Sequence, residues 1–232
     1  MNPPLRAVLP LLCTSFWLCA TATAEYVPDV LELDGSGGVG FASQPILTLP
    51  DGGTIEFWLS ADWNKDPGYD PVVLSNASER GIAYKVMVGR DRQSITVQSG
   101  KEVGELAHDF GDGNMHHVAI VDMRDETVVL VDGTPIGSLA MSLSAWPTDR
   151  LRVGADYYNA NGFVGALAAV RIWDVPLDAD IVAEFALKDI TSEDTSHPTI
   201  DFLVGHSRFS DDDFYITDAV IIDADELAGA QE

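Results

Sequence analysis

Cysteine is almost absent from this sequence. Its 232 residues include only 2 cysteines, Cys13 and Cys19, and both lie within residues 1–24. Because we expect that segment to be removed, the mature chain has no disulfide, and cysteine-based zinc motifs are excluded as well. Stability must then come from apolar area buried in a core.

Long apolar runs are missing too. Residues 1–24 combine an early Arg6, an apolar stretch at 7–20 that Pro10 interrupts, and an Ala-Thr-Ala close at 22–24. This pattern is typical of a secretory signal peptide cleaved near Ala24. No other stretch reaches the roughly 18 apolar residues that a membrane span needs. We therefore predict a secreted protein, extracellular or periplasmic, with no integral membrane span.

Basic residues are scarce. The chain has 13 Lys and Arg against 37 Asp and Glu, a formal net charge of −24. Nucleic acid binding requires a basic face that releases counterions, so nucleic acid is excluded as a partner. Such acidity is typical of a soluble secreted protein in a medium that contains salt or divalent cations.

Short alternations of apolar and polar residues fill the chain from residue 30 to 154 and predict strands. In the segment 54–60, Ile55, Phe57 and Leu59 share one face, whereas Thr54, Glu56, Trp58 and Ser60 share the other. Further strands are predicted at 71–75, 82–88, 94–98, 116–122, 127–131, 151–153 and 163–173. The sequence therefore predicts an all-β fold, a two-sheet antiparallel sandwich.

One short helix is predicted after the strands, beginning at Asp178 and ending near Leu187. Asp178 can cap its N-terminus, and Ile181, Val182, Phe185 and Ala186 form one apolar stripe. We assign residues 25–188 to the sandwich domain.

The composition changes at residue 189. From there to 232 the chain has twelve acids and a single base, Arg208. This acidic C-terminal extension reads as a tail or linker, but 199–204 and 214–222 are apolar enough to dock as strands.

The glycines at 35–40 match the dinucleotide-binding pattern G-x-G-x-x-G. Prolines at 45 and 50 leave no room for the helix that must follow. We interpret the segment as a glycine-rich turn.

Glu32 and Asp34 lie on one face of a predicted strand, where a pair of carboxylates could cleave sugars. The retaining glucanase pattern needs a third acid, and position 37 is glycine. We therefore interpret the two acids as a solvated pair at the rim. His116 and His117 point to opposite faces of a strand and cannot chelate one metal, so we predict one packed and one surface histidine.

Two predicted loops are rich in oxygen ligands and aromatic rings. Ca²⁺ prefers carboxylate and carbonyl oxygens, and we assign Asp70, Asp156 and Asn161 as candidate metal ligands. The alternative is that these side chains are simply solvated.

The same loops hold rings that look exposed, and sugar recognition uses such rings beside polar tips. Candidate ligand-binding residues are Trp63, Asp66, Tyr69, Tyr157, Tyr158 and Asn159. The alternative is that the rings cap the ends of the sandwich. Asn76-Ala77-Ser78 is also a glycosylation sequon.

Several stretches together resemble the laminin-G-like members of the concanavalin A-like superfamily of lectin and glucanase jelly rolls. They are LELDG at 31–35, IEFWL at 55–59, HHVA at 116–119, VLVDG at 129–133, VG at 153–154, FVG at 163–165, VRIW at 170–173 and PLD at 176–178. The family commonly has an acidic pair where this chain has Ala168 and Ala169, so we expect no polar role there.

The resemblance implies a jelly roll whose loops or concave face bind a glycan or an extracellular protein, often with a Ca²⁺ ion at the rim. Our hypothesis is a secreted, non-catalytic binding module. One alternative is a structural or assembly subunit that docks through a sheet edge or the acidic tail. The other is a glycan hydrolase or lyase, but the sequence has neither the three-acid motif of the glucanases nor the set of Arg, Gln, His and Tyr residues typical of the lyases.

Overall fold

Two antiparallel sheets pack face to face and confirm the predicted sandwich. The computed structural model describes residues 29–143, 146, 148, 150–188, 190 and 196–209, and the backbone of 215–216. The predicted signal peptide and much of the acidic extension lie outside these residues. No helix in the described part is long and apolar enough to cross a membrane.

The described residues form fourteen strands, one α-helix and two short 3-10 helices. The strands are β1 (Val30–Asp34), β2 (Val39–Ala42), β3 (Gly53–Ala61), β4 (Val72–Ser78), β5 (Gly81–Val88), β6 (Ser94–Ser99), β7 (Glu102–Ala107), β8 (His116–Asp122), β9 (Thr127–Val131), β10 (Thr134–Leu139), β11 (Arg150–Val153), β12 (Val164–Trp173), β13 (Leu203–Ser207) and β14 (Tyr215–Ile216). Helix α1 spans Ala179–Phe185, and the 3-10 helices span Pro45–Thr48 and Ile200–Phe202.

One sheet has eight strands and the other has six. The eight-stranded sheet runs β10-β9-β8-β3-β12-β13-β14, with β1 also on β12, and the six-stranded sheet runs β2-β11-β4-β5-β6-β7. Strand β12 pairs with β1 up to Ala168 and with β13 from Val170 onward. The change of partner coincides with a bulge at Ala169, whose φ is 37°.

Strands β8 and β9 have the bounds that the sequence predicts. Three strands were not predicted: β2, β7 and β10. Each lies at an end of a sheet, where little burial is required, so apolar alternation is weak. β10 also contains Pro135 and Gly137, which are typical of edge strands. The glycine-rich segment turns into β2 and not into a helix, as we interpreted it.

The main core lies between the sheets. Ile55, Phe57 and Leu59 of β3 face Leu151 and Val153 of β11 across it, and all five are essentially inaccessible to solvent. The alternation of β3 and β11 therefore directs their other side chains away from this core.

The opposite face of β3 is also buried, although it carries both polar and apolar side chains. Thr54, Glu56 and Trp58 are each at most 3% exposed. Helix α1 packs Val182 and Phe185 into a second apolar cluster on the eight-stranded sheet. The covering elements follow β12 in sequence, so the pattern of β3 alone could not reveal them.

The helix begins as predicted, but its cap differs. The backbone oxygen of Asp178 accepts the N–H groups of Ile181 and Val182, whereas its carboxylate makes no capping hydrogen bond. Val182, Phe185 and Ala186 are buried, and Ile181 is half-buried. Tertiary packing therefore contributes more to this short helix than its cap does.

Glu56 is the centre of a buried polar network in the second core. Its Oε2 accepts the indole N–H of Trp173 at 2.6 Å, and its Oε1 lies 3.1 Å from Nε2 of His117. Arg171 stacks over Trp58 at 4.7 Å and donates to the carbonyls of Phe185 and Lys188. Burial opposes a charge on Glu56, but the bond from His117 and the charge of Arg171 outweigh it and lower the pKa of Glu56.

Ala168 and Ala169 are buried beside Trp58. They offer no side-chain acceptor, and among the described residues the buried indole N–H of Trp58 has no partner.

Both adjacent histidines are buried, so the expectation of a surface histidine is wrong. His117 belongs to the Glu56 network, and His116 lies at the other face beside Phe110. Nδ1 of His116 is 2.8 Å from Oδ2 of Asp132, and its Nε2 is 3.1 Å from Oδ1 of Asp112. The strand still separates the two rings, as its geometry requires.

The carboxylates of Asp132 and Asp112 beside His116 predict that the stability of the protein depends on pH. Burial opposes a charge on His116, but Asp132 and Asp112 outweigh it and raise its pKa. A raised pKa contributes stability below the unfolded value of about 6.5, and that contribution is lost as pH rises through the folded value. We expect the free energy difference between the wild type and His116→Gln in urea unfolding to shrink from pH 6 to pH 8. A difference that is constant with pH would contradict this.

Part of the acidic extension docks on the domain. Strand β13 pairs with β12, and β14 pairs with β13, so residues beyond 188 extend the eight-stranded sheet. Leu203 is buried in the second core. The strand predicted at 199–204 is shifted to Leu203–Ser207 because a 3-10 helix occupies Ile200–Phe202.

The sequon at Asn76 is structurally blocked. Asn76 is fully buried, and its Nδ2 donates to the carbonyl of Leu47 at 2.9 Å and to the Tyr84 hydroxyl at 3.2 Å. This nitrogen is the atom that a glycan would have to modify. We expect the folded protein to stay unmodified at Asn76 when it is secreted from eukaryotic cells, as intact mass would show. A glycan-sized mass increase that Asn76→Gln removes would contradict the expectation.

Candidate functional site

The two loops singled out in the sequence meet at one rim of the sandwich. The hydroxyl of Tyr69 donates to the carbonyl of Gly162 at 3.2 Å, and the N–H of Val72 donates to the carbonyl of Asn161 at 2.9 Å. The glycine-rich turn joins them, since the N–H of Gly38 donates to Oδ1 of Asn159 at 3.0 Å. A long-range bond network therefore brings three sequence segments into one surface.

Trp63 is a core residue, which corrects the expectation of an exposed ring. It is 6% exposed, packs edge-on against Phe163 at 5.7 Å, and donates its indole N–H to the carbonyl of Arg90 at 2.8 Å. With its ring covered and its donor used, Trp63 is not available for stacking on a sugar.

Asp66, Tyr69 and Asp70 occupy the outer part of the first loop. Oδ1 of Asp66 accepts the N–H of Gly68 at 2.7 Å, and Oδ1 of Asp70 accepts the N–H of Arg90 at 3.0 Å. Tyr69 and Asp70 line an open depression of about 400 Å³. Each carboxylate thus braces a turn of the chain.

Asp156 organises the second loop. Its Oδ1 accepts the N–H groups of Tyr158 at 3.0 Å and Ala160 at 2.9 Å, and its Oδ2 accepts Nδ2 of Asn161 at 2.8 Å. Asn159 and Asn161 have positive φ angles of 58° and 52°, a conformation that asparagine tolerates. The carboxylate therefore holds a tight loop whose tip carries Tyr157 and Tyr158.

The candidate calcium ligands do not form a ready metal cage. Among the described residues, no three His, Cys, Asp or Glu side chains are grouped so that they could hold a metal ion. Asp156 uses both carboxylate oxygens on protein donors, and Asn161 directs its amide nitrogen at one of them. This donor set does not fit Ca²⁺, which needs several free oxygens.

Tyr157 and Tyr158 form the exposed aromatic part of the site. Their rings meet edge to face at 5.0 Å, and Tyr158 is 76% exposed. The guanidinium of Arg150 lies over the Tyr157 ring at 5.4 Å. Both tyrosines line a cavity of about 260 Å³ together with Ser75, Arg80, Lys85 and other residues at the turn between β4 and β5.

The cavity opens onto the outer face of the six-stranded sheet. Leu151 and Val153 point into the core, so Arg150 and Arg152 project outward. In register, Arg152 lies opposite Ser75, which lies opposite Lys85. The Nη1 of Arg152 donates to Oδ1 of Asn159 at 3.0 Å and ties the sheet face to the loop.

Sequence reasoning missed these cations. The available signal was the alternation Arg-Leu-Arg-Val at 150–153, which places two arginines on one face of a strand in a chain with few basic residues. Their neighbours across the sheet depend on register, which the sequence alone does not give.

Glu32 and Asp34 line a separate open groove of about 680 Å³ with Asn159. The hydrogen bonds from Ser36 lower the pKa of Asp34. A general acid for glycoside cleavage needs the opposite shift, and the third position of the pattern is Gly37. The pair therefore resembles the solvated rim pair of our interpretation.

The architecture is that of the two-sheet antiparallel jelly-roll sandwiches. The chain belongs to the concanavalin A-like lectin/glucanases superfamily, because the laminin-G family model of that superfamily matches residues 33–183. A search of curated protein sequences finds no match.

Solved structures with similar folds include carbohydrate-binding proteins. A putative carbohydrate binding protein from Bacteroides ovatus is 12% identical, with a TM-score of 0.53, and the match covers 85% of this chain but 53% of that one. The CBM40 module of the Ruminococcus gnavus IT-sialidase is 14% identical, with a TM-score of 0.53, and covers 69% of this chain and 99% of its own.

Domain 4 of the extracellular arabinanase AbnA from Geobacillus stearothermophilus was solved with arabinotriose. It is 14% identical, with a TM-score of 0.54, and the match covers 69% of this chain and 80% of that one. At these identities, the similarity establishes the fold.

Proposed function

We propose that the protein is a secreted, non-catalytic module that binds a glycan at the outer face of the six-stranded sheet. One observation carries the proposal: the exposed Tyr158 and its neighbour Tyr157 line a cavity whose walls also include polar and charged side chains. Aromatic faces stack on the C–H surfaces of sugars, while polar groups bind the hydroxyls. Ser78, Arg80 and Lys85 line the same cavity and supply such polar groups.

Two of the similar structures contain a bound glycan, which supports a glycan as the ligand. The R. gnavus CBM40 was solved with sialyllactose and the AbnA domain with arabinotriose. In this chain, the cavity of about 260 Å³ is small, of a size for one or two sugar rings and not for a protein surface.

Replacing Tyr158 by alanine should weaken glycan binding roughly tenfold because it removes the most exposed stacking surface of the site. Affinity electrophoresis in gels that contain soluble polysaccharides measures retention directly. Phe202→Ala is the matched control, since Phe202 is an exposed ring on a different segment. Equal retention of both variants and the wild type would reject this site.

Export from the cell is the second element of the proposal. It is supported by the signal-peptide pattern of residues 1–24. When the full chain is expressed in a host with a secretory pathway, intact mass of the exported protein should correspond to a chain that begins at Glu25. Retention of residues 1–24 in the exported protein would contradict cleavage there.

Calcium at Asp70, Asp156 and Asn161 remains a prediction from the sequence, and thermal unfolding can test it. An ion that binds only the folded chain at about 100 times its dissociation constant adds roughly 2.7 kcal/mol of stability. Because Asp156 already accepts three hydrogen bonds from protein donors, we expect no greater rise in Tm with CaCl₂ than with matched MgCl₂. A calcium-specific rise would support the ion.

A further inference from the structure

Basic residues gather at one face of this acidic protein. Arg80 and Lys85 line the tyrosine cavity, and Arg150 and Arg152 flank it on the neighbouring strand. This basic face therefore holds four of the 13 basic residues of a chain that has 37 acids. Two acids accompany them in the cavity wall, Glu79 and Asp156. The local balance of charge is opposite to that of the whole molecule.

Strand register fixes the spacing of three of these cations. Arg150 and Arg152 are two positions apart on one strand and share its outer face, which separates their Cα atoms by about 7 Å. Arg152 and Lys85 are in register on either side of Ser75. Adjacent strands are about 4.8 Å apart, so these two are separated by about 10 Å at the backbone. A row of positive charges therefore runs across the sheet beneath the tyrosines.

The charges of the basic face are balanced only in part, by the nearby carboxylate of Asp156. Among the described residues, none of its four cations forms an ion pair, whereas Arg90, Arg124 and Lys188 each do. The carboxylate of Asp156 is occupied by three donors of its own loop. Glu79 is exposed at the cavity edge.

Arg152 is held in position by the protein and still has N–H donors for a ligand. It donates to Asn159 through Nη1, while its buried Nε has no hydrogen-bond partner within the part of the chain that the structure describes. Burial, and then the charge of Arg150, lower the pKa of Arg152. Both facts describe a guanidinium that would gain from an added anion. Arg150 is likewise positioned by its contact with the Tyr157 ring.

We propose that the glycan bound by the basic face is anionic and carries carboxylate or sulfate groups, an inference that rests on the proposed function. Guanidinium groups bind such oxyanions with paired, charge-assisted hydrogen bonds. The tyrosine rings bind the sugar itself. The acidic remainder of the surface repels a densely charged polymer, so the recognised anion is confined to the few sugars that reach this face.

The test pairs each anionic glycan with its neutral counterpart on one array. The probes form three pairs. The first two are polygalacturonate with its methyl ester, and sialylated with desialylated oligosaccharides. The third is carboxyl-reduced chondroitin with and without its sulfate groups. We expect at least one anionic probe to bind at least tenfold more tightly than its partner. The carboxylate and sulfate arms identify which oxyanion is recognised.

Four variants locate the interaction. Lys85→Gln and Arg152→Gln should each weaken binding of the preferred anionic probe by about tenfold to a hundredfold, the expected effect of losing a hydrogen bond to a charged group. Among the described hydrogen bonds, none joins Lys85 to the loop that holds Tyr157 and Tyr158. Its variant therefore removes a positive charge without disturbing the structure of that loop. Arg152→Lys should restore part of the binding. Arg124→Gln removes a cation from the turn between β8 and β9, outside the basic face, and should leave binding unchanged.

The outcomes separate the two proposals. Anionic preference that Lys85→Gln and Arg152→Gln reduce, and Arg124→Gln does not, supports the inference. Equal binding of neutral and anionic partners that Tyr158→Ala abolishes would overturn the inference and leave the proposed function standing. The absence of binding to every probe would overturn both.

Discussion

Glu56→Ala should destabilise the folded protein by about 3–5 kcal/mol, the cost of removing one partner from a buried charged network. The carboxylate is 1% exposed and accepts the Trp173 indole N–H at 2.6 Å. It also lies 3.1 Å from Nε2 of His117 and faces the charge of Arg171. Alanine leaves these groups in an apolar environment without their acceptor.

Urea unfolding measures the loss through the midpoint, provided that the slope m is unchanged. Glu32→Ala is the matched control because Glu32 is also a strand residue but is exposed, and we expect a change within about 0.5 kcal/mol. If Glu56→Ala were no more destabilising than Glu32→Ala, the network would not contribute to stability.

The same network predicts sensitivity to acid. The pKa of Glu56 is lowered in the folded chain, so its contribution is fully present above the unfolded carboxyl pKa of about 4.3. It is lost as pH falls through the lower, folded value. In the Glu56→Gln variant, the free energy of unfolding should therefore fall less steeply as the pH is lowered. If the free energy of unfolding of this variant fell with pH as steeply as that of the wild type, the lowered pKa of Glu56 would be contradicted.

The Glu56 face shows why part of the fold could be predicted and part could not. Alternation in β3 correctly identified Ile55, Phe57 and Leu59 as core residues. It placed Thr54, Glu56 and Trp58 on the other face but could not show that this face is buried, because the sequence of one strand does not report which elements cover it. The cover is helix α1 with Leu203, contributed by segments more than a hundred residues later in the chain.

The candidate site shows the same division. The two rim loops were predicted from their tyrosines and acids, and the structure places them together. Trp63 looked like a loop ring, but its neighbour Phe163 comes from the other loop and buries it. Arg152 and Lys85 belong to strands 67 positions apart in the sequence, and only register brings them to one face.

Asp156→Ala should remove glycan binding at the proposed site and lower the free energy of unfolding by roughly 2–3 kcal/mol, since three hydrogen bonds to one carboxylate are lost. Its two oxygens hold the backbone at Tyr158 and Ala160 and the side chain of Asn161. Without them, the positive φ angles of Asn159 and Asn161 lose their support, and the tyrosine pair loses its fixed position over the cavity.

Two comparisons separate this bracing role from a metal-binding role. Asp156→Asn keeps an oxygen acceptor for the two backbone N–H groups but places an amide against Nδ2 of Asn161, so intermediate losses are expected. Asp66→Ala is the matched control, because Asp66 accepts a single backbone bond in the neighbouring loop. The decisive measurement is urea unfolding and probe binding of each variant in EGTA and in CaCl₂. A bracing carboxylate gives the same ranking of variants in both media, whereas a loss that appears only with calcium would assign Asp156 to an ion.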